Sequence, residues 1–111
     1  MVPKVMTPTL LNELSERFKA LGEPARLQLL SALRRGERSV SELVEATGLG
    51  QANVSKHLQQ LCNAGFISRR KDGIFAFYAL ADDEVFTICE LMCGRIEQDH
   101  REQRAALRLA R

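Results

Sequence analysis

Between Gln51 and Gln60 the chain carries a cluster of side chains that can form hydrogen bonds with the edges of nucleic-acid bases. Gln and Asn can bond adenine in a bidentate manner, Ser can bond several base edges or a phosphate, and Lys can bind a phosphate or guanine. The candidate residues are Gln51, Asn53, Ser55, Lys56, His57, Gln59 and Gln60. No acidic residue occurs between Glu45 and Asp72. This absence favours a polyanionic partner, because ordinary solvated surfaces mix both signs of charge.

A helix must position these side chains. Val54, Leu58 and Leu61 recur at the spacing i, i+4, i+7, which predicts a helix from about Gln51 to Ala64 with one side packed on a core. At 100° per residue the polar side chains fall mostly on the opposite side. A short helix from about Ser41 and a glycine-containing turn precede it, so residues 41–64 are predicted to form a helix-turn-helix, whose second helix enters the major groove. His57 lies at the edge of the apolar stripe, which leaves a packed role and a DNA-facing role open.

A second basic group follows this helix. Arg69, Arg70 and Lys71 come directly before Asp72–Gly73, a hairpin signal between two apolar segments. Residues 66–80 are therefore predicted to form a two-stranded wing. Its cations would meet phosphates or the minor groove beside the reading helix.

The last predicted helix carries candidate ligands for a soft ion. Cys89 and Cys93 are spaced i, i+4 on one face, close enough for two thiolates to chelate one ion. His100 lies about 10 Å beyond Cys93, so it or Glu97 could contribute only from a second copy of the chain. Two other roles stay open: apolar filling, and an oxidation switch that involves Cys62 or a partner chain. The only cofactor that the sequence indicates is a soft metal ion or arsenite bound by these thiols.

The remaining pattern predicts a mainly α fold with a small β-hairpin: a winged helix-turn-helix with five helices plus the wing. We expect residues 1–9 to be a flexible arm, residues 10–111 to be one domain, and residues 83–109 to be a dimerisation helix. On that helix Val85, Ile88, Met92 and Ile96 form an apolar stripe too long for a small domain to cover alone. No apolar run approaches the roughly 20 residues of a membrane helix. Three cysteines without framework spacing favour a reducing cytoplasm.

Together these blocks resemble the ArsR/SmtB family of bacterial repressors over about residues 10–95. The residues that carry the resemblance are Leu21-Gly22-Glu23-Pro24-Ala25-Arg26-Leu27, Ser39-Val40-Ser41-Glu42-Leu43, Val54-Ser55-Lys56-His57-Leu58 and Leu61-Cys62-Asn63-Ala64-Gly65-Phe66-Ile67. The resemblance implies that the first helix, with Leu10, Leu14 and Phe18, packs beside the last helix in a homodimer. It also implies a DNA-facing histidine at position 57. The chain departs from the family in its wing, where Ile74 and Ala79 stand in places that are commonly basic, and in lacking a cysteine within residues 39–47.

The expected function is that of a dimeric, cytoplasmic repressor that binds double-stranded DNA and is released by an effector: a soft metal ion, arsenite or a thiol oxidant. The alternative is a winged-helix protein-interaction module without specific DNA reading. An enzyme is not expected, because the sequence offers no nucleophile–base spacing, no phosphate-binding glycine loop and no paired carboxylates in an apolar setting.

Overall fold

A computed structural model describes residues 5–109 of the chain, and over this range it contains five α-helices and three β-strands. In chain order these are α1 (Pro8–Leu21), α2 (Pro24–Leu33), β1 (Arg38–Ser39), α3 (Val40–Thr47), α4 (Gln51–Asn63), β2 (Ile67–Asp72), β3 (Phe75–Leu80) and α5 (Glu84–Leu109). The predicted winged helix-turn-helix is confirmed. The chain divides into two compact units between Ala81 and Asp82, with α5 in the second unit.

The core of the first unit is aliphatic and comes from three helices. Its fully buried side chains are Leu29, Leu30 and Leu33 of α2, Leu43 of α3, and Val54, Leu58 and Leu61 of α4. Burying each leucine contributes about 1.5–3 kcal/mol. The stripe predicted on α4 is therefore confirmed, and its burial turns the polar side of that helix outward.

Two helix starts differ from the expectation. Helix α1 begins at Pro8, where the hydroxyl of Thr7 accepts a hydrogen bond from the Leu10 N–H at 3.2 Å. A proline in the first turn lacks only an N–H that would have no helical partner, so the expected arm over residues 1–9 extended too far into the helix. Residues 1–4 of that arm lie outside the described residues.

Helix α3 begins at Val40, one residue earlier than the predicted helix-turn-helix. Its cap is a reciprocal pair in which Ser39 Oγ accepts from the Glu42 N–H at 3.2 Å and Glu42 Oε1 accepts from the Ser39 N–H at 3.0 Å. Two N–H groups that the first turn leaves without helical partners are satisfied in this way.

The wing is an antiparallel sheet in the order β1-β3-β2. Asp72 pairs with Phe75, which leaves Gly73 and Ile74 as a two-residue loop. Gly73 has φ 62°, and among the described residues only glycines have positive φ, which is the pattern of a type II′ turn. The turn therefore lies one residue later than the predicted Asp72–Gly73, because a type II′ turn places glycine first.

Helix α5 leaves several apolar side chains in solvent. Met92 is 60% exposed and Ile96 47% exposed, and Ile88 is also exposed. Val85, the remaining member of the predicted stripe, is 3% exposed. Among residues 5–109, no helix is long and apolar enough to cross a membrane.

Candidate nucleic-acid interface

The solvent side of α4 presents the predicted base-reading groups together. Its exposed polar side chains are Gln51, Asn53, Ser55, Lys56, Gln59 and Gln60. Gln59 donates from its amide nitrogen to Asn63 Oδ1 at 2.9 Å, so part of its hydrogen-bonding capacity is used within the helix. Ala52 and Ser55 have short side chains, so the first half of this helix would fit close to the floor of a DNA major groove.

His57 occupies a different environment from its neighbours on α4. It is half-buried, and its Nδ1 accepts a hydrogen bond from Arg26 Nε at 3.1 Å. A neutral imidazole that accepts at Nδ1 carries its proton on Nε2. Of the two roles left open by the sequence, this contact favours the packed one.

The three consecutive cations of the wing lie on two faces of the sheet. Side chains alternate along a strand, so Arg69 and Lys71 share one face and Arg70 lies on the other. All three are exposed, but Arg70 has partners within the chain. Within residues 5–109, Arg70 forms ion pairs, whereas Arg69 and Lys71 form none.

Arg70 spans the sheet from β2 towards the segment before β1. Its Nη2 and Nε donate to the two carboxylate oxygens of Glu37 at 2.7 and 3.0 Å. The guanidinium carbon of Arg70 lies 4.9 Å from the ring centroid of Phe77, which is the residue paired with Arg70 on β3. Arg70 Nη1 lies 3.8 Å from Asp72 Oδ2. The hydrogen bond raises the pKa of Arg70 and lowers that of Glu37. The predicted phosphate contact of Arg70 therefore competes with an existing bidentate pair.

Two positioning contacts, Glu37 with Arg70 and Arg26 with His57, were not predicted from the sequence. The cap formed by Ser39 and Glu42 has a readable signal, because Ser-x-x-Glu is the capping-box pattern. Glu37 lies 33 positions from Arg70, and Arg26 lies 31 positions from His57, so local patterns carried no signal for either pair.

The three cysteines are free and differ in exposure. Cys62, on α4, is half-buried, and burial raises the pKa of its thiol while the charge of Arg69 lowers it. On α5, Cys89 is half-buried and Cys93 exposed, and the other predicted ligands Glu97 and His100 are exposed. Within residues 5–109 of one chain, no three His, Cys, Asp or Glu side chains converge on a possible metal position.

The sequence is similar to known regulators. The sequence profile of the family described as bacterial regulatory protein, arsR family, matches residues 23–69. A probable mercury resistance operon repressor of Streptomyces lividans is 44% identical over 68 residues, which are 61% of this chain and 54% of that protein. The match thus spans about half the length of that relative. A transcriptional repressor SmtB homolog of Synechocystis sp. is 31% identical over 96 residues, which are 86% of this chain and 73% of that protein.

Two solved structures extend the similarity to the fold. The crystal structure of Rv0081 from Mycobacterium tuberculosis has a TM-score of 0.74 and 32% identity, covering 85% of this chain and 98% of that one. The solution structure of the homodimeric winged helix-turn-helix DNA-binding domain Mb0332 from Mycobacterium bovis has a TM-score of 0.70 and 32% identity, covering 86% of this chain and 87% of that one. From its sequence and its fold, this chain belongs to the arsR family of bacterial regulatory proteins.

Proposed function

We propose that the chain is a homodimeric repressor that binds double-stranded DNA through α4 and the wing and releases it when an effector binds α5. One observation carries the proposal: α4 presents amides, a hydroxyl and a cation on a side without carboxylates. That side is held outward by fully buried Val54, Leu58 and Leu61. Relatives described as operon repressors support the regulatory role.

The contacts follow from the placement of each side chain. Gln51, Asn53 and Ser55, in the first half of α4, suit base edges in the major groove, with Gln59 and Gln60 further along. Lys56 suits a phosphate. In the wing, the proposed phosphate contacts are Arg69 and Lys71, because Arg70 is held by Glu37 on the opposite face.

A second copy of the chain is proposed to cover the exposed apolar side chains. On α5 these are Ile88, Met92 and Ile96, and Phe18 on α1 is 55% exposed. The homodimeric relative Mb0332 supports this assembly. A two-fold dimer would place its reading helices on half-sites about 34–36 Å apart, which adds base contacts that one helix cannot make.

DNA selection followed by titration tests the reading surface. Wild-type protein first selects duplexes from a randomised library. Asn53→Ala should then weaken binding to the selected duplex by about 1–3 kcal/mol per half-site and leave binding to unrelated DNA nearly unchanged. Asn12→Ala removes the same amide from an exposed site on α1 and serves as the control. Equal affinity of the wild type for selected and unrelated duplexes would instead favour a protein-interaction module.

The effector is proposed to be a soft ion held by Cys89 and Cys93. Two thiolates at i, i+4 fit a two-coordinate soft ion, whereas a tetrahedral site would need donors from a second chain. A relative described as a mercury resistance operon repressor and another as an arsenical resistance operon repressor indicate which ions to try.

Titration of the reduced protein with mercuric ion and with arsenite tests this site. A thiolate charge-transfer band should appear in the wild type and in Cys62→Ser, and should be lost in Cys89→Ser and in Cys93→Ser. A band that survives both α5 substitutions would place the ion elsewhere. Absence of any band in the wild type would leave these cysteines as apolar filler.

A further inference from the structure

Arg26 joins three helices through one guanidinium group. It stands in the first turn of α2 and donates from Nε to His57 Nδ1 on α4 at 3.1 Å. Its Nη1 lies within hydrogen-bond distance of two backbone oxygens of α1, 3.4 Å from Lys19 O and 3.3 Å from Ala20 O. Resting on the DNA-binding function proposed above, we propose that Arg26 fixes the orientation of the reading helix relative to α1. In this role His57 is the acceptor on α4 and does not read bases.

The anchor on α1 is suited to a cation. Lys19 and Ala20 lie in the last turn of α1, where the helix dipole is negative, and the Lys19 oxygen also accepts the Gly22 N–H at 3.2 Å. Ala20 is itself buried. The planar guanidinium carries its donors in a fixed fork, so acceptors on two different helices define its orientation.

The hydrogen bond to His57 on α4 is directional, whereas the aliphatic packing of this helix is not. The buried side of α4 is aliphatic, and aliphatic burial is insensitive to small rotations about the helix axis. A rotation of about 10° moves the side-chain surface of a helix by about 1 Å, enough to break hydrogen bonds to base edges. His57 lies midway along α4, between exposed Lys56 and buried Leu58, so a bond at this residue limits that rotation.

This junction lies beside an open cleft. The cleft, of about 160 Å³, borders Arg26 and is lined by the exposed side chains of Glu16 and Lys19 of α1 and of Gln60 and Asn63 of α4. The hydrogen bonds of Arg26 join α1 and α4 beside this cleft. Because α1 also carries part of the proposed dimer surface, the same bonds would set the half-site spacing that the dimer accepts.

A pair of substitutions at position 57 separates this role from base reading. The amide oxygen of Asn lies as many bonds from Cβ as Nδ1 does, whereas the amide of Gln reaches the position of Nε2. His57→Asn should keep the acceptor for Arg26, and His57→Gln should lose it. Arg26→Lys keeps the charge without the fork.

The readout is affinity for the selected duplex and for versions with one base pair inserted or deleted between the half-sites. Wild type and His57→Asn should prefer the selected spacing. His57→Gln and Arg26→Lys should bind it about tenfold more weakly and lose the preference, with unchanged affinity for unrelated DNA. If His57→Gln instead kept the affinity and the spacing preference and His57→Asn lost them, His57 would be a base contact and the inference would be overturned.

Two further results keep this test separate from the test of DNA reading. If the wild type does not prefer its selected duplex, the proposed function fails; if all variants share the wild-type spacing preference, only the role of Arg26 fails. Nitrogen NMR of the free wild type should show that Nδ1 of His57 carries no proton in the neutral ring. A protonated Nδ1 in the neutral ring would refute the contact. This measurement does not require that Arg26→Lys folds.

Discussion

Replacing Lys71 with Gln should flatten the salt dependence of DNA affinity, whereas replacing Arg70 with Gln should leave it unchanged. The two residues are adjacent, but the carboxylate of Glu37 already holds Arg70, and Lys71 lies on the other face of β2. Each phosphate contact contributes about 0.9 to the slope of log affinity against log salt. A dimer has two wings, so Lys71→Gln should lower the slope by about 1.8. A fourfold rise in salt concentration would then weaken DNA binding by this variant about twelvefold less than DNA binding by the wild type.

The assay is a fluorescence-anisotropy titration of the selected duplex at several salt concentrations. Arg104→Gln removes a positive charge from an exposed position on α5 and controls for net charge. Because Arg70 is bound to Glu37, Arg70→Gln should match this control. A fall in the slope of Arg70→Gln as large as that of Lys71→Gln would show that the pair opens on DNA and would refute the assignment by faces.

The remaining predictions concern stability and assembly. Ser39→Ala removes a cap of α3 and should lower the free energy of unfolding by about 1 kcal/mol in urea titrations, with Ser41→Ala as the neighbouring control. The pKa of Glu42 is lowered, chiefly because its carboxylate accepts the Ser39 N–H, so its contribution to stability is complete above pH 4.5 and is lost as the pH falls through the lowered value. On acidification the Tm of Glu42→Gln should therefore fall by less than the Tm of the wild type. An equal fall in Tm would show that the Glu42 carboxylate does not contribute to the pH dependence of stability. Met92→Glu should shift the protein to monomer in sedimentation, whereas Thr87→Glu, on the opposite side of α5, should not; a dimeric Met92→Glu would place the interface elsewhere.

Local patterns predicted the elements better than the contacts between them. The stripe of Val54, Leu58 and Leu61 gave the orientation of α4, because burial alone decides which side of an amphipathic helix faces inward. The pattern predicts the start of α1 too late, because a proline such as Pro8 is typical of loops but also fits a first helical turn.

The wing shows which features of the interface could be predicted from the sequence. Strand alternation separates Arg70 from Arg69 and Lys71, so the division into two faces was readable from the hairpin. The identity of the partner was not, because Glu37 is brought to Arg70 by the register of β1 on β3. In the same way, the bond between Arg26 and His57 exists only once α2 and α4 share a core.

The hairpin turn leaves the tip of the wing free to diverge in evolution. Gly73 adopts the left-handed backbone conformation that the turn requires, while Ile74 is 92% exposed and has an ordinary φ. Any L-amino acid except proline can stand at position 74 without backbone strain, since no neighbour confines its side chain. Proteins that share this scaffold can therefore exchange apolar, basic or small residues at the tip and acquire new target preferences while the hairpin itself stays intact.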